Sequence, residues 1–322
     1  PLHTVPIEGH FQPWEALYPE DYEAWVGPDA NPLEADPNLG TLFPHPAPGP
    51  GELLYTPHAG EALVDAVLEA TDRLQLGTHA SPDLLALSFS QTDYIGHAFT
   101  SESWEAMDGM VRLDRSIGRL LDGLEERVGE GRIAVFLTSD HGASKAADTM
   151  RVPYTDVPRV ADEALAALGI EGHTMFEAPS LWLPPIDDPA LKAEAARAAA
   201  RAVAGIEGIE DAYAWRVDPV EGPHAASVKL SLDEERSGDV YVLRGEGALF
   251  DYAGSEGLGT SHGTPFAFDT DVPVLAWGKG IQAGAHGDAD VRQVAPTIAA
   301  LLGVQAPSGA DQPVIEGILS AP

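Results

Sequence analysis

Five side chains of the metal-ligand type lie in three short motifs of this 322-residue chain. Asp93 and His97 lie in "TDYIGH", Asp140 and His141 in "TSDHG", and His262 in "GTSHGTP". The chain has no cysteine, so a metal would be held by nitrogen and oxygen alone. Two carboxylates and three imidazoles exceed the needs of one zinc ion and approach those of a two-metal site. The three motifs together predict a metal centre.

Each motif has an alternative explanation when it is taken alone. Asp-x-x-x-His is more often a helix cap or a surface pair, and Asp-His-Gly becomes informative only because a buried strand precedes it. Glycines flank the motifs and would let the backbone turn tightly, namely Gly96, Gly142, Gly259 and Gly263. The remaining histidines lack such a setting and are expected on surfaces or loops: His3, His10, His45, His58, His79, His173, His224 and His286.

The elements around the first two motifs predict an α/β arrangement. Residues 58–77 and 101–129 have helical periodicity, and "DLLALSF" (83–89) and "RIAVFLT" (132–138) are apolar runs typical of buried strands. Strand, helix and strand in this order form a βαβ unit, which favours a parallel sheet. Ligands bind beyond the carboxyl ends of such strands, which is where the first two motifs fall.

The pattern changes between about residues 155 and 250. Residues 161–170 and 188–206 are predicted helices, and four short alternating segments are predicted strands: 178–186, 210–217, 226–232 and 238–244. We expect a small α+β insertion over 155–250 within a metal-binding core made of 1–154 and 251–322. The core resumes with a strand at 272–281 and closes with a helix at 291–304, whereas the first fifty residues are predicted to form an extended cover.

Composition restricts the class of partner. The formal net charge is −33, so a nucleic-acid backbone would be repelled over most of the surface. No apolar run approaches the roughly 20 residues that span a bilayer. The chain begins at Pro1 without a signal-peptide pattern, and we interpret it as the later portion of a longer protein.

The chain resembles the alkaline phosphatase superfamily over most of its length. The resemblance rests on "SFSQTDYIGHAF", "VFLTSDHG", "RSGDVYVL", "GTSHGTPFAFDTDVPVLAWGKGI" and "VAPTIAALLGV". It is greatest for bacterial phosphate-irrepressible alkaline phosphatases, which are grouped with type I phosphodiesterases and nucleotide pyrophosphatases. The resemblance implies a doubly wound, mostly parallel α/β sheet and a zinc-dependent phosphoester hydrolase, located in the periplasm or secreted.

The resemblance also implies a distribution of ligands. Asp93, His97 and His262 would hold one zinc ion and should converge within a few ångströms. Asp140 and His141 would hold a second zinc ion about 4 Å away, a spacing suited to in-line displacement at phosphorus. The related sulfatases usually bind calcium through oxygen ligands, and three histidines favour zinc instead. Related phosphoglycerate mutases prefer manganese.

One departure from the family pattern concerns the nucleophile. Family members carry another metal-binding Asp and a Thr or Ser nucleophile upstream of the matched portion, and residues 1–60 contain nothing similar. No catalytic nucleophile is therefore identified in this chain. We expect it to need an N-terminal segment of a parent protein to act on a small phosphate ester through a phospho-enzyme. The alternative hypothesis is a non-catalytic metal-binding or partner module.

Overall fold

The computed structural model describes residues 6–145, 150–251 and 259–320. The chain divides into two compact units, each described by itself. The first consists of residues 1–32, 36–142 and 271–322, and the second of residues 33–35 and 143–270. The predicted insertion bounds of 155 and 250 stay a prediction.

The helices and strands alternate along the whole chain. The helices are α1 Pro19–Val26, α2 His58–Leu74, α3 Gln91–Phe99, α4 Trp104–Val128, α5 Asp156–Ala166, α6 Pro189–Val203, α7 Ala225–Leu230, α8 Ala267–Thr270 and α9 Val294–Leu302. The strands are β1 Ala134–Thr138, β2 Arg151–Pro153, β3 Met175–Glu177, β4 Ser180–Trp182, β5 Ile209–Tyr213, β6 Val240–Arg244, β7 Leu249–Asp251 and β8 Val274–Gly278. No helix in the described ranges is long and apolar enough to cross a membrane.

Two long helices organise the first unit. The predicted helices over 58–77 and 101–129 are confirmed as α2 and α4, which pack through Val64, Val67 and Leu120. The helix α4 begins after Ser103, whose hydroxyl accepts a hydrogen bond from the backbone N–H of Ala106 at 3.0 Å. These helices form because their apolar residues recur at three- and four-residue spacing on the face that meets the neighbour.

The strand predicted over 83–89 is wrong. Backbone pairing is absent along this segment within the described ranges, and Leu84 is 66% exposed. Leu87 and Phe89 still pack against the α2–α4 cluster, which explains why the run is apolar. A strand needs a neighbour to complete its backbone hydrogen bonds, and apolarity alone does not supply one.

The ladder of the first unit is antiparallel. The strand predicted before "SDHG" is confirmed as β1, and the one predicted within 272–281 is confirmed as β8. They pair with Ala134 opposite Gly278 and Thr138 opposite Val274. The parallel pairing expected from the βαβ unit is not seen in the described part of this unit, because the segment over 83–89 provides no strand for β1.

The segment before α2 does more than cover the unit. It contains α1, and its Trp14 and Tyr22 are fully buried. Trp14 and His45 exchange two backbone hydrogen bonds, of 3.1 and 2.9 Å, and Trp14 packs edge-on against Phe43 and Phe99. These aromatic residues form a small core of their own.

The second unit contains a four-stranded antiparallel sheet in the order β3-β4-β6-β5, and its apolar cluster includes residues from α5 and α6. The short strands β2 and β7 pair in parallel beside it. The strand predicted over 226–232 is wrong, because residues 225–230 form α7. Its inward residues Ala225, Val228 and Leu232 follow helical spacing rather than alternation.

Candidate metal centre

Asp93 and His97 lie one turn apart on α3. Asp93 is in the first turn of this helix rather than directly after a strand. Because residues four apart share a helix face, Asp93 Oδ1 and His97 Nε2 approach to 3.4 Å. Both side chains are partly exposed. A helix can therefore present this carboxylate and this imidazole to the same ion.

Asp140 and His141 follow the end of β1, as the sequence predicts. Nδ1 of His141 lies 2.8 Å from the carbonyl oxygen of Gly142, which can only accept a hydrogen bond. The ring therefore carries its proton on Nδ1, and Nε2 offers the lone pair that a metal requires. The hydroxyl of Ser139 donates to the His141 carbonyl at 2.6 Å and helps to fix this turn.

The first unit brings these two pairs together. Ligand atoms of Asp93 and His141 lie within 4.8 Å of each other. His97 is adjacent to Asp93, and the Asp140 carboxylate lies 3.5 Å from Nε2 of His141. Oxygen and imidazole nitrogen are ligands that zinc accepts at about 2.0–2.2 Å, so the donor set fits zinc. The first unit thus contains a candidate metal centre built from four of the five predicted ligands.

His262 lies in the second unit, in the turn between β7 and α8. Its carbonyl oxygen accepts a hydrogen bond of 2.6 Å from Nη2 of Arg244. On one side, Ser261 and Ser144 are joined by backbone and side-chain hydrogen bonds of 3.1 and 2.8 Å. On the other side, Gly263 has a φ of 94°, a conformation that favours glycine. Gly263 therefore allows a tight turn, as expected of the glycines beside the motifs, whereas Gly96 lies inside the helix α3.

The sequence analysis missed a set of buried polar residues beneath α4. His45 and Glu105 are completely buried and join at 2.9 Å, and Asp29 lies close enough to influence both. Burial raises the pKa of Glu105, with the nearby Asp29 acting in the same direction and His45 opposing it. The sequence did contain one indication of this buried set. Glu105 and Asp108 lie at helical spacing on the same face of α4 as the apolar Leu120, which is buried.

Of the other histidines, which are expected on surfaces or loops, His58 departs from the expectation because it begins α2, and His45 lies outside the helices and strands but is buried; His3 lies outside the described residues. His45 is 1% exposed and His58 is 7% exposed. His58 Nδ1 lies 3.1 Å from the Glu61 carboxylate. This contact is the main cause that lowers the pKa of Glu61. Both histidines contact carboxylates inside the first unit and have a structural function there.

A helical surface that presents Asp and His beside the Asp-His end of a strand defines a candidate metalloenzyme of the α/β class. Residues 47–266, more than half of the chain, match the family described as type I phosphodiesterase / nucleotide pyrophosphatase. The chain belongs to this family, and the resemblance predicted from the motifs is confirmed.

Individual relatives agree with this family. The chain is 25% identical over 290 residues to alkaline phosphatase PafA of Elizabethkingia meningoseptica, with 83% of this chain and 52% of the relative covered. It is 26% identical to alkaline phosphatase PhoV of Synechococcus elongatus, with 96% and 59% covered. The chain thus spans a little over half the length of these relatives.

A solved structure confirms the fold class. The crystal structure of wild-type alkaline phosphatase PafA superposes with a TM-score of 0.80 over 98% of this chain and 64% of that one. The sequence identity of that match is 22%, so it establishes the α/β fold of the alkaline phosphatase type and nothing finer.

Proposed function

We propose that this chain provides the metal-binding part of a zinc-dependent phosphoester hydrolase. The observation that carries the proposal is the approach of Asp93 and His141 to within 4.8 Å, in a chain that belongs to a phosphodiesterase family. Exposed acidic groups are common, but an imidazole whose Nδ1 proton is directed at a carbonyl is arranged as metal-binding histidines are.

Two zinc ions are proposed, with the ligands distributed as the resemblance implies. Asp93, His97 and His262 would hold one ion, and Asp140 and His141 the other. Bound ions would stabilise negative charge on the attacking and leaving oxygens of a phosphate ester. The carboxylate oxygens of Asp93 and Asp140 and the imidazole nitrogens of His97 and His141 support this proposal, because zinc accepts both kinds of ligand.

The substrate we propose is a small phosphate ester, and the location is periplasmic or secreted. Relatives named alkaline phosphatase and the phosphodiesterase family name support the ester class. A net charge of −33 opposes general binding of nucleic acid. Fractionation of the source cells, with an antibody to this chain, tests the location.

The metal proposal is tested by zinc titration of the chelator-treated chain with Asp93→Ala and His141→Ala variants. Each variant removes one ligand, and the expected result is zinc affinity at least ~10-fold weaker than that of the unsubstituted chain. His173→Ala is the matched control, because His173 is largely exposed and its ring lies 2.9 Å from Asp162, a residue outside the proposed ligand set. Equal zinc affinity in all four proteins would contradict the metal assignment.

Hydrolysis is measured on the same proteins with p-nitrophenyl phosphate and bis(p-nitrophenyl) phosphate. Because no hydroxyl nucleophile is identified in residues 1–322, we expect tight zinc binding with little turnover by the chain alone. Robust turnover that Asp93→Ala abolishes would show that the chain does contain a nucleophile. Zinc binding without turnover, even when the longest product of the gene is assayed, would favour the metal-binding module.

A further inference from the structure

The turn that carries His262 is anchored to the interior of the second unit from β6. Arg244 is the last residue of this fully buried strand and is itself 6% exposed. Its guanidinium donates to the carbonyl of Ala248 at 3.2 Å and to that of His262 at 2.6 Å. A buried guanidinium gives up hydration, so it is stable here only while carbonyls such as these accept its protons.

A buried carboxylate anchors the other side of the same turn. Asp269, on α8, is 4% exposed, and its Oδ2 accepts from the backbone N–H of Thr264 at 2.7 Å and from its hydroxyl at 2.6 Å. The other oxygen, Oδ1, is buried without a hydrogen-bond partner in the described part of the chain. Leaving one carboxylate oxygen buried without a hydrogen bond costs free energy. The two hydrogen bonds from Thr264 to Oδ2 offset part of that cost.

These two anchors enclose His262 and the positive-φ residue Gly263. The backbone is fixed one residue after Gly263 by Asp269 and directly at the carbonyl of His262 by Arg244. We propose that Arg244 and Asp269 are positioning residues that hold His262 in the backbone conformation from which it binds metal.

This inference rests on the proposed function, because it requires His262 to be a zinc ligand. It adds two residues that no sequence motif singled out. Fixing a metal-binding histidine in advance lowers the entropy that must be lost when the ion binds, so loss of an anchor should weaken binding without removing a donor atom.

The experiment is a zinc titration of the 322-residue chain and of six variants, each first checked by its melting temperature without metal. Asp269→Ala should weaken zinc binding by about 10- to 100-fold, the range typical of groups that orient metal ligands. Asp269→Asn keeps an oxygen that can accept both Thr264 protons, so its affinity should lie within about threefold of the unsubstituted chain. If Asp269→Ala does not fold, Arg244→Lys, which retains the charge but cannot fork between two carbonyls, takes its place with about tenfold weakening expected.

Asp239→Ala is the matched control in the same unit. Asp239 is also a buried carboxylate, and it accepts from the backbone N–H of Leu183 at 2.9 Å. Its loss should lower the melting temperature and leave zinc affinity unchanged. If Asp269→Ala behaves in this way too, Asp269 is only structural and the inference is overturned.

His262→Ala separates the inference from the function on which it rests. If His262→Ala leaves zinc affinity unchanged, the proposed ligand assignment fails. If it weakens binding and Asp269→Ala does not, only the positioning inference fails. When both hold, combining His262→Ala with Asp269→Ala should weaken binding no further than His262→Ala alone, since the anchor acts through the histidine.

Discussion

At the scale of single residues, the buried contact between His45 and Glu105 couples two titratable side chains. Nδ1 of His45 lies 3.1 Å from the carbonyl oxygen of Leu39 and must donate to it. Nε2 of His45 lies 2.9 Å from a Glu105 oxygen, so one proton lies in this contact between the ring and the carboxyl group. Burial raises the pKa of Glu105, and the hydrogen bond with His45 opposes this rise.

Glu105→Gln should alter how stability depends on pH. Since the pKa of Glu105 is raised on folding, the folded state holds its proton more tightly than the unfolded state does. The contribution of Glu105 to the free energy of unfolding should thus be fully present below its unfolded pKa, roughly 4.3, and should be lost as the pH rises through the folded value. A Gln side chain can still donate to His45 but does not titrate. The free energy of unfolding of Glu105→Gln, relative to that of the unsubstituted chain, should therefore increase with pH.

Urea unfolding at a series of pH values measures this effect. Glu105→Ala serves as the comparison, because it leaves the His45 nitrogen buried and unpaired at every pH and should cost about 1–3 kcal/mol. A constant difference between Glu105→Gln and the unsubstituted chain across the series would show that Glu105 does not titrate as described.

The residue types at the candidate metal centre could be predicted from sequence, whereas the buried partners of other polar residues could not. Asp93, His97, Asp140 and His141 stand in short motifs, so a few neighbouring residues identify them. His45 and Glu105 are 60 positions apart, and Arg244 and His262 are 18 apart. Only folding brings such residues together, and no local pattern records it.

At the scale of elements, Asp108 joins α4 to the segment that precedes α2. Its carboxylate accepts from the indole of Trp14 at 2.6 Å, from the backbone of Leu17 at 2.7 Å and from Tyr22 at 3.0 Å. Arg112, one turn further along α4, supplies a fourth hydrogen bond of 2.6 Å. A single buried carboxylate therefore accepts hydrogen bonds from residues 14–22 and from α4 itself.

Asp108→Ala should destabilise the first unit by about 3–5 kcal/mol, because the Arg112 charge and three buried donors lose their acceptor. The measurement is denaturant unfolding followed by tryptophan fluorescence, to which Trp14 contributes. Asp122→Ala is the control on the same helix, since Asp122 is exposed, and it should change stability by less than about 0.5 kcal/mol. Similar losses in both variants would point to a general effect of charge on α4.

Elements with a long period were predictable, and short apolar runs were not. The helices α2, α4 and α6 repeat their apolar spacing over several turns, which leaves one reading of the pattern. Residues 226–232 alternate like a strand over so few positions that helical spacing of Ala225, Val228 and Leu232 fits equally well. The run over 83–89 has strand composition, but strand formation also depends on a neighbouring strand.

At the scale of the whole molecule, the excess of 51 acidic over 18 basic residues opposes folding by self-repulsion. Raising NaCl from about 10 to 150 mM shortens the Debye length from roughly 30 to 8 Å, so the melting temperature should rise. Choline chloride at equal ionic strength is the control and should give the same rise if screening is the cause. A melting temperature independent of ionic strength would show that local pairing already offsets the repulsion.

The hydrogen bonds between Ser144 and Ser261 join positions 117 residues apart. Because its two ends are held together, the segment between these serines can change in length or composition at positions that do not contact the ends. In this respect the segment resembles a surface loop between fixed ends, which tolerates long insertions at small entropic cost. Positions between these serines that do not contact the two turns can therefore vary, whereas Arg244, which lies between them and donates to the His262 carbonyl, is expected to be retained.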